Sequence, residues 1–142
     1  MVDPVQENNY ESLVEEIYQM SHYDFVGIAL QNSDALGQIK WRYVRGNTSQ
    51  RYQRIVLRNG LGIAGLVLRT GQPFYDNDLN RKPQDFMYTP ITVVEKLTSA
   101  AAIPLLSADH QQVTGVLLAG YRHGENVSHE TISNLRYYLR RA

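Results

Sequence analysis

Residues 60–78, GLGIAGLVLRTGQPFYDND, decide how the rest of the chain is read. Two glycines lead into an apolar run, Ile63 to Leu68. Thr70-Gly71-Gln72-Pro73 closes that run, and a short strand-like Phe74-Tyr75 follows. An apolar run of this length, opened by Gly62 and closed by Gly71, predicts a short helix with a glycine at its C-terminal end. The first turn of a helix carries backbone N–H groups without intrahelical partners, and the helix dipole adds partial positive charge there. Where such a turn faces a pocket, it is a seat for a small anion.

Outward from this stretch, the chain alternates short elements with turn residues. Asn8-Asn9-Tyr10-Glu11 reads as a helix start, with Asn8 as the cap and Glu11 reaching back. Tyr10, Leu13, Val14, Ile17 and Tyr18 then fall on one stripe. Phe25 to Leu30 is apolar on both faces, as in a strand near the middle of a sheet. Ile39, Trp41 and Tyr43 alternate with Lys40 and Arg42, which predicts a half-buried strand with Trp41 pointing inward. Tyr52 to Leu57 reads as a third strand.

Beyond the opening stretch, Asp76 to Pro90 is irregular and long enough to be a functional loop. Ile91 to Leu97 holds a helical turn. Ala100 to Leu106 and Val113 to Tyr121 form a hairpin around Ala108-Asp109-His110, and Ser128 caps a C-terminal helix with Ile132, Leu135 and Leu139 on one side. The order predicts an α+β fold with a central antiparallel sheet. The N- and C-terminal helices lie on one face, and short helices and loops surround a ligand pocket on the other.

Composition narrows the function. The 142 residues suit one domain, 1–142, and 43% apolar content is that of a globular chain. No apolar run approaches the roughly 20 residues of a membrane span. The N-terminal Met1-Val2-Asp3-Pro4 lacks the features of a signal peptide, so a cytoplasmic location is expected. A formal net charge of zero argues against nucleic acid as the main partner. The cluster Arg42, Arg45, Arg51, Arg54 and Arg58 reads as a solvated face.

The chain has no cysteine, which excludes thiolate catalysis, iron–sulfur ligation and a disulfide framework together. His22, His110, His123 and His129 are scattered, without metal-ligand spacing. Gly60, Gly62 and Gly65 satisfy G-x-G-x-x-G, but no βαβ unit surrounds them, so a dinucleotide site is not expected. No nucleophile–base pair is recognisable, so neither a catalytic residue nor an enzyme is expected.

The pattern G-x-G-x-A-G-x-V-x-x-T-G-x-P, followed by Asp and the strand SAAAIPL, resembles a GAF domain over the whole chain. Asp24-Phe25-Val26-Gly27, Ile39-Lys40-Trp41, Gly46-Asn47, residues 51–57 (RYQRIVL) and residues 95–99 (EKLTS) are similar to the NreA-type nitrate receptors. That resemblance implies a single GAF domain acting beside a sensor histidine kinase of a two-component system, with nitrate as ligand and no cofactor. It also matches Trp41, Leu57, Ile63 and Ile91 to the nitrate pocket. A pocket tyrosine of the family aligns with either Tyr88 or Thr89.

Nitrate is planar, carries one diffuse charge and accepts hydrogen bonds at three oxygens. The amides of Ile63, Ala64 and Gly65 and the indole N–H of Trp41 supply donors in this reading. Leu57, Ile91 and Ala101 supply apolar walls. The alternative is a ligand-free interaction module whose terminal helices, with Tyr137, Tyr138 and Leu139, form a homodimer or dock a partner.

Overall fold

A computed structural model describes residues 4–31, 38–79 and 90–142, with side chains from residue 9 onward. Five antiparallel strands form its centre. In chain order the elements are α1 (Pro4–Met20), β1 (Phe25–Gln31), β2 (Ile39–Arg45), a 3-10 turn (Arg51–Arg54), α2 (Gly62–Thr70), β3 (Phe74–Asp76), α3 (Ile91–Val94), β4 (Ser99–Leu106), β5 (Val113–Tyr121) and α4 (His129–Arg141). The strands lie in the order β2-β1-β5-β4-β3. The central pair, β1 and β5, is buried on both faces, as the continuous apolar runs of both strands require.

The sheet separates two cores. On one face α1 and α4 contribute Tyr10, Leu13, Val14, Ile17, Ile132 and Leu135, which pack on Val26, Ile28, Leu30, Ala101, Ile103, Leu105, Leu117 and Ala119. On the other face α2 and α3 contribute Ile63, Ala64, Val67, Ile91 and Val94. These pack on Phe25, Ala29, Trp41, Ala100, Ala102, Val116 and Leu118. The period-2 alternation of β1, β4 and β5 divides their apolar residues between the two cores. This is the α+β architecture expected from the sequence, with the terminal helices together on one face.

Three local expectations are corrected. The first concerns α1, which begins at Pro4 rather than after Asn8. Proline suits the first helical turn because its fixed φ is already helical and its missing N–H has no helical role there.

The second is the region of Tyr52 to Leu57, which is not a strand. Arg51–Arg54 forms a 3-10 turn, and only an isolated bridge, Lys40 to Val56, joins the segment to β2.

The third is Tyr43, which does not share a face with Trp41. The β1–β2 register shifts between Ile28, opposite Tyr43, and Ala29, opposite Trp41, leaving Arg42 as the extra residue. The bulge sends Tyr43 to the terminal-helix core and returns Val44 to the core that holds Trp41.

The ends of the helices follow the expected chemistry. α2 ends at Gly71, whose φ of 70° is left-handed and whose N–H bonds the Val67 carbonyl. Ser128 and Thr131 form a reciprocal capping box at α4, and Arg140 and Arg141 lie in its last turn. Asn77 fixes the chain beyond β3: its Nδ2 donates to the Val127 carbonyl at 3.0 Å, and its Oδ1 accepts from the Val127 N–H at 2.7 Å.

Candidate functional site

The glycines of the 60–65 segment build the start of α2. Gly60 and Gly62 have φ of 83° and 71°, in the left-handed region that favours glycine. Gly65 is required for a different reason. A Cβ on it would stand 2.3 Å from the Arg58 carbonyl oxygen, far inside van der Waals contact. The Gly60 N–H bonds the Gly65 carbonyl at 2.9 Å, so the loop folds directly onto the first turn of the helix. The G-x-G-x-x-G spacing thus serves a tight loop-to-helix approach, without the flanking strand arrangement of a dinucleotide fold.

Among the described residues, no side chain caps this end of α2. With Gly62 as the first helical residue, the amides without an intrahelical partner are those of Gly62, Ile63 and Ala64. Among the described residues, the amides of Ile63 and Ala64 bond no acceptor outside the helix. Gly65 is the fourth residue, where regular helical geometry directs the N–H back along the chain. Ile63, Ala64 and Gly65 are buried although they open the helix.

Trp41 belongs to the same buried cluster as Leu57, Ile63, Ala64 and Ile91. It is 3% exposed, and among the described residues its indole Nε1 has no hydrogen-bond partner. A buried donor left unsatisfied costs about 1–3 kcal/mol. The indole is held by its packing: Phe25 meets it edge-on, with centroids 6.5 Å apart and planes at 75°. A Cβ on Gly27 would lie 3.2 Å from the Trp41 ring, so the glycine admits the indole against β1. The N–H of Leu57 bonds the Ile39 carbonyl at 2.8 Å, which fixes that side chain beside β2.

Ala101 is not with them. It points to the terminal-helix core, beside Ile103 and Ala119, and the residues of β4 on the Trp41 side are Ala100 and Ala102. In a run of three alanines hydrophobicity does not reveal which one faces inward, and a shift of one residue reverses the face. Tyr88 and Thr89 lie outside the described residues, as does most of the Asp76–Pro90 loop.

α3 is a single turn opened by Pro90, which accepts backbone bonds from Val93 and Val94. It places Ile91, 2% exposed, in the Trp41 cluster. Sequence reasoning missed Phe25, Gly27, Ala100, Ala102 and the fully buried Glu95. Glu95 left no distinctive signal, because it is followed directly by Lys96 and reads in sequence as part of a charged turn.

No protein-family model and no curated protein matches the chain. Solved structures do. A hypothetical protein from Staphylococcus aureus is 36% identical, with 82% of this chain and 94% of that one covered and a TM-score of 0.70. An S. aureus NreA protein mutated in its nitrate binding site is 35% identical, with 85% and 88% covered and a TM-score of 0.72. The GAF domain of a two-component sensor histidine kinase from Bacillus halodurans, 16% identical, shares the fold with a TM-score of 0.68 over 93% of this chain. At 35–36% identity to such relatives over more than four-fifths of both chains, this chain belongs to the NreA family of GAF-fold proteins.

Proposed function

We propose that the protein is a cytoplasmic nitrate sensor, one domain over residues 1–142. The observation that carries this reading is the buried Trp41 Nε1–H, which has no acceptor among the described residues, in the same cluster as the first turn of α2, which none of those side chains caps. An anion with several oxygens satisfies both the indole and the amides of Ile63 and Ala64. Gly65 contributes by letting the 58–60 loop close on the helix. Leu57 and Ile91 form the apolar walls, and either Tyr88 or Thr89 completes the contact.

Nitrate suits this setting better than a more strongly charged anion. Its charge is single and delocalised, so uncharged donors meet it without a desolvated counter-ion, whose burial costs several kcal/mol. The NreA relative is described as having a nitrate binding site, which supports the choice of ligand.

Calorimetric titration with nitrate, nitrite and chloride tests the reading. Heat with nitrate, and a weaker response to chloride, is the expected result. A silent titration with millimolar nitrate removes it.

The protein acts without catalysing a reaction, by contacting a sensor histidine kinase and changing its activity. Kinase autophosphorylation with and without the sensor checks this step. A second reading is a ligand-free module that dimerises through its terminal helices. It draws on the exposure of Met20 (71%) and Tyr137 (54%) on those helices. Light scattering together with the titration separates the two.

A further inference from the structure

A buried knot joins α3 to the neighbouring ends of the strands. Glu95, the residue after α3, is 0% exposed, and Arg122, just beyond β5, has a side chain 17% exposed. Arg122 Nη2 donates to Glu95 Oε1 at 2.6 Å, and Arg122 Nε donates to the Glu95 carbonyl at 2.7 Å. The guanidinium therefore holds both the side chain and the main chain of one residue. Its remaining bonds go to the Asp24 carbonyl (3.1 Å) and the Gly46 carbonyl (2.8 Å), at the start of β1 and the end of β2. The Thr48 N–H adds a bond to Glu95 Oε1 at 2.7 Å.

The backbone around the knot is shaped to receive it. Gly46 has φ of 77°, and a Cβ there would stand 2.0 Å from the Asp24 carbonyl oxygen. Only glycine lets these two carbonyls converge on one guanidinium. Lys96 adopts the left-handed φ of 57° directly after Glu95.

An isolated single helical turn does not hold its own geometry, so α3 depends on what anchors it. Apolar packing alone resists separation but permits sliding. A planar guanidinium bound to several fixed acceptors permits neither. A buried ion pair is often no more stabilising than an apolar pair of the same size, so its use here points to geometry.

We propose that Glu95 and Arg122 are positioning residues for the ligand pocket. They tie α3 to the strand ends of β1 and β2, and so fix the height of Ile91 relative to Trp41. This rests on the nitrate reading for its ligand, but its geometric part is independent of any ligand.

Trp41 is the only tryptophan, so its fluorescence reports the pocket directly. The experiment compares the parent with Glu95→Gln and the milder Arg122→Lys. It follows acrylamide quenching of Trp41, amide exchange of α3 and of the two terminal helices, and nitrate affinity. The expected result is at least threefold stronger quenching and faster exchange in α3. Protection of α1 and α4 stays at parental values, and nitrate dissociation constants rise tenfold or more.

Parental quenching and α3 exchange in both variants overturn the proposal. So does a loss of protection spread equally over α1, α3 and α4, because that is general destabilisation. If Arg122→Lys alone folds, the same comparison is made on it. If the parent binds no nitrate but the quenching and exchange differences appear, the nitrate reading fails and the positioning role stands.

Discussion

Gly65 lies so close to Arg58 that a methyl group on its α-carbon would stand 2.3 Å from the Arg58 carbonyl oxygen. The contact fixes the loop 58–60 against the first turn of α2, together with the Gly60 to Gly65 backbone bond. Gly65→Ala forces the loop outward. Overpacking of this kind costs about 1–3 kcal/mol, so the urea midpoint falls correspondingly. Nitrate binding weakens as well, because the displaced loop disturbs the uncapped amides. An unchanged midpoint contradicts the role assigned to this glycine.

Trp41→Phe separates the ligand role from the packing role. It deletes the buried donor that has no partner among the described residues, so the ligand-free protein loses ring contacts but is relieved of an unsatisfied N–H. Its thermal midpoint therefore changes little. A hydrogen bond to a charged group is worth about 1.5–3 kcal/mol, so nitrate affinity falls tenfold or more. Calorimetry and a thermal melt on the same preparation measure both. Unfolding of the variant, with no separate effect on affinity, assigns Trp41 to the core alone.

Alkaline stability depends on Tyr23. Burial raises its hydroxyl pKa above the usual 10.0, against the opposing hydrogen bond from Asn134 Nδ2 at 3.0 Å. Burial likewise raises Tyr121, whose ring lies 5.4 Å from that of Tyr23. A phenol harder to ionise in the folded state favours that state while it is neutral. Its contribution is complete below pH 10 and disappears as pH rises through the elevated folded-state value. Urea midpoints measured from pH 8 to pH 11 should fall at the alkaline end, and Tyr23→Phe should shrink the fall.

The sequence made legible whatever depended on strong periodicity or on punctuation. α2 was visible from its glycines, α4 from Ser128, and the hairpin of β4 and β5 from its apolar runs. Trp41 was legible as inward because Lys40 and Arg42 flank it. What stayed hidden depended on contacts between distant residues. The bulge at Arg42, which moves Tyr43 to the other core, arises from pairing with β1 and leaves no local mark. Ile55-Val56-Leu57 has the composition of a strand, but the segment follows the 3-10 turn at Arg51–Arg54 and makes only one bridge. Ala101 was misplaced because its neighbours Ala100 and Ala102 are identical to it. The burial of Glu95 was hidden because its partner Arg122 lies 27 positions away.

The alanines of β4 also set how far apart the two sides of the molecule stand. Ala100 and Ala102 meet the α2 side while Ala101 meets the α4 side, and both helices contact this strand. Alanine has no rotamers with which to take up a displacement. Here the partition between the proposed anion chamber and the outer helix is thin and stiff. A push on α2 therefore reaches α4 through a sheet whose side chains on this strand offer little slack to absorb it.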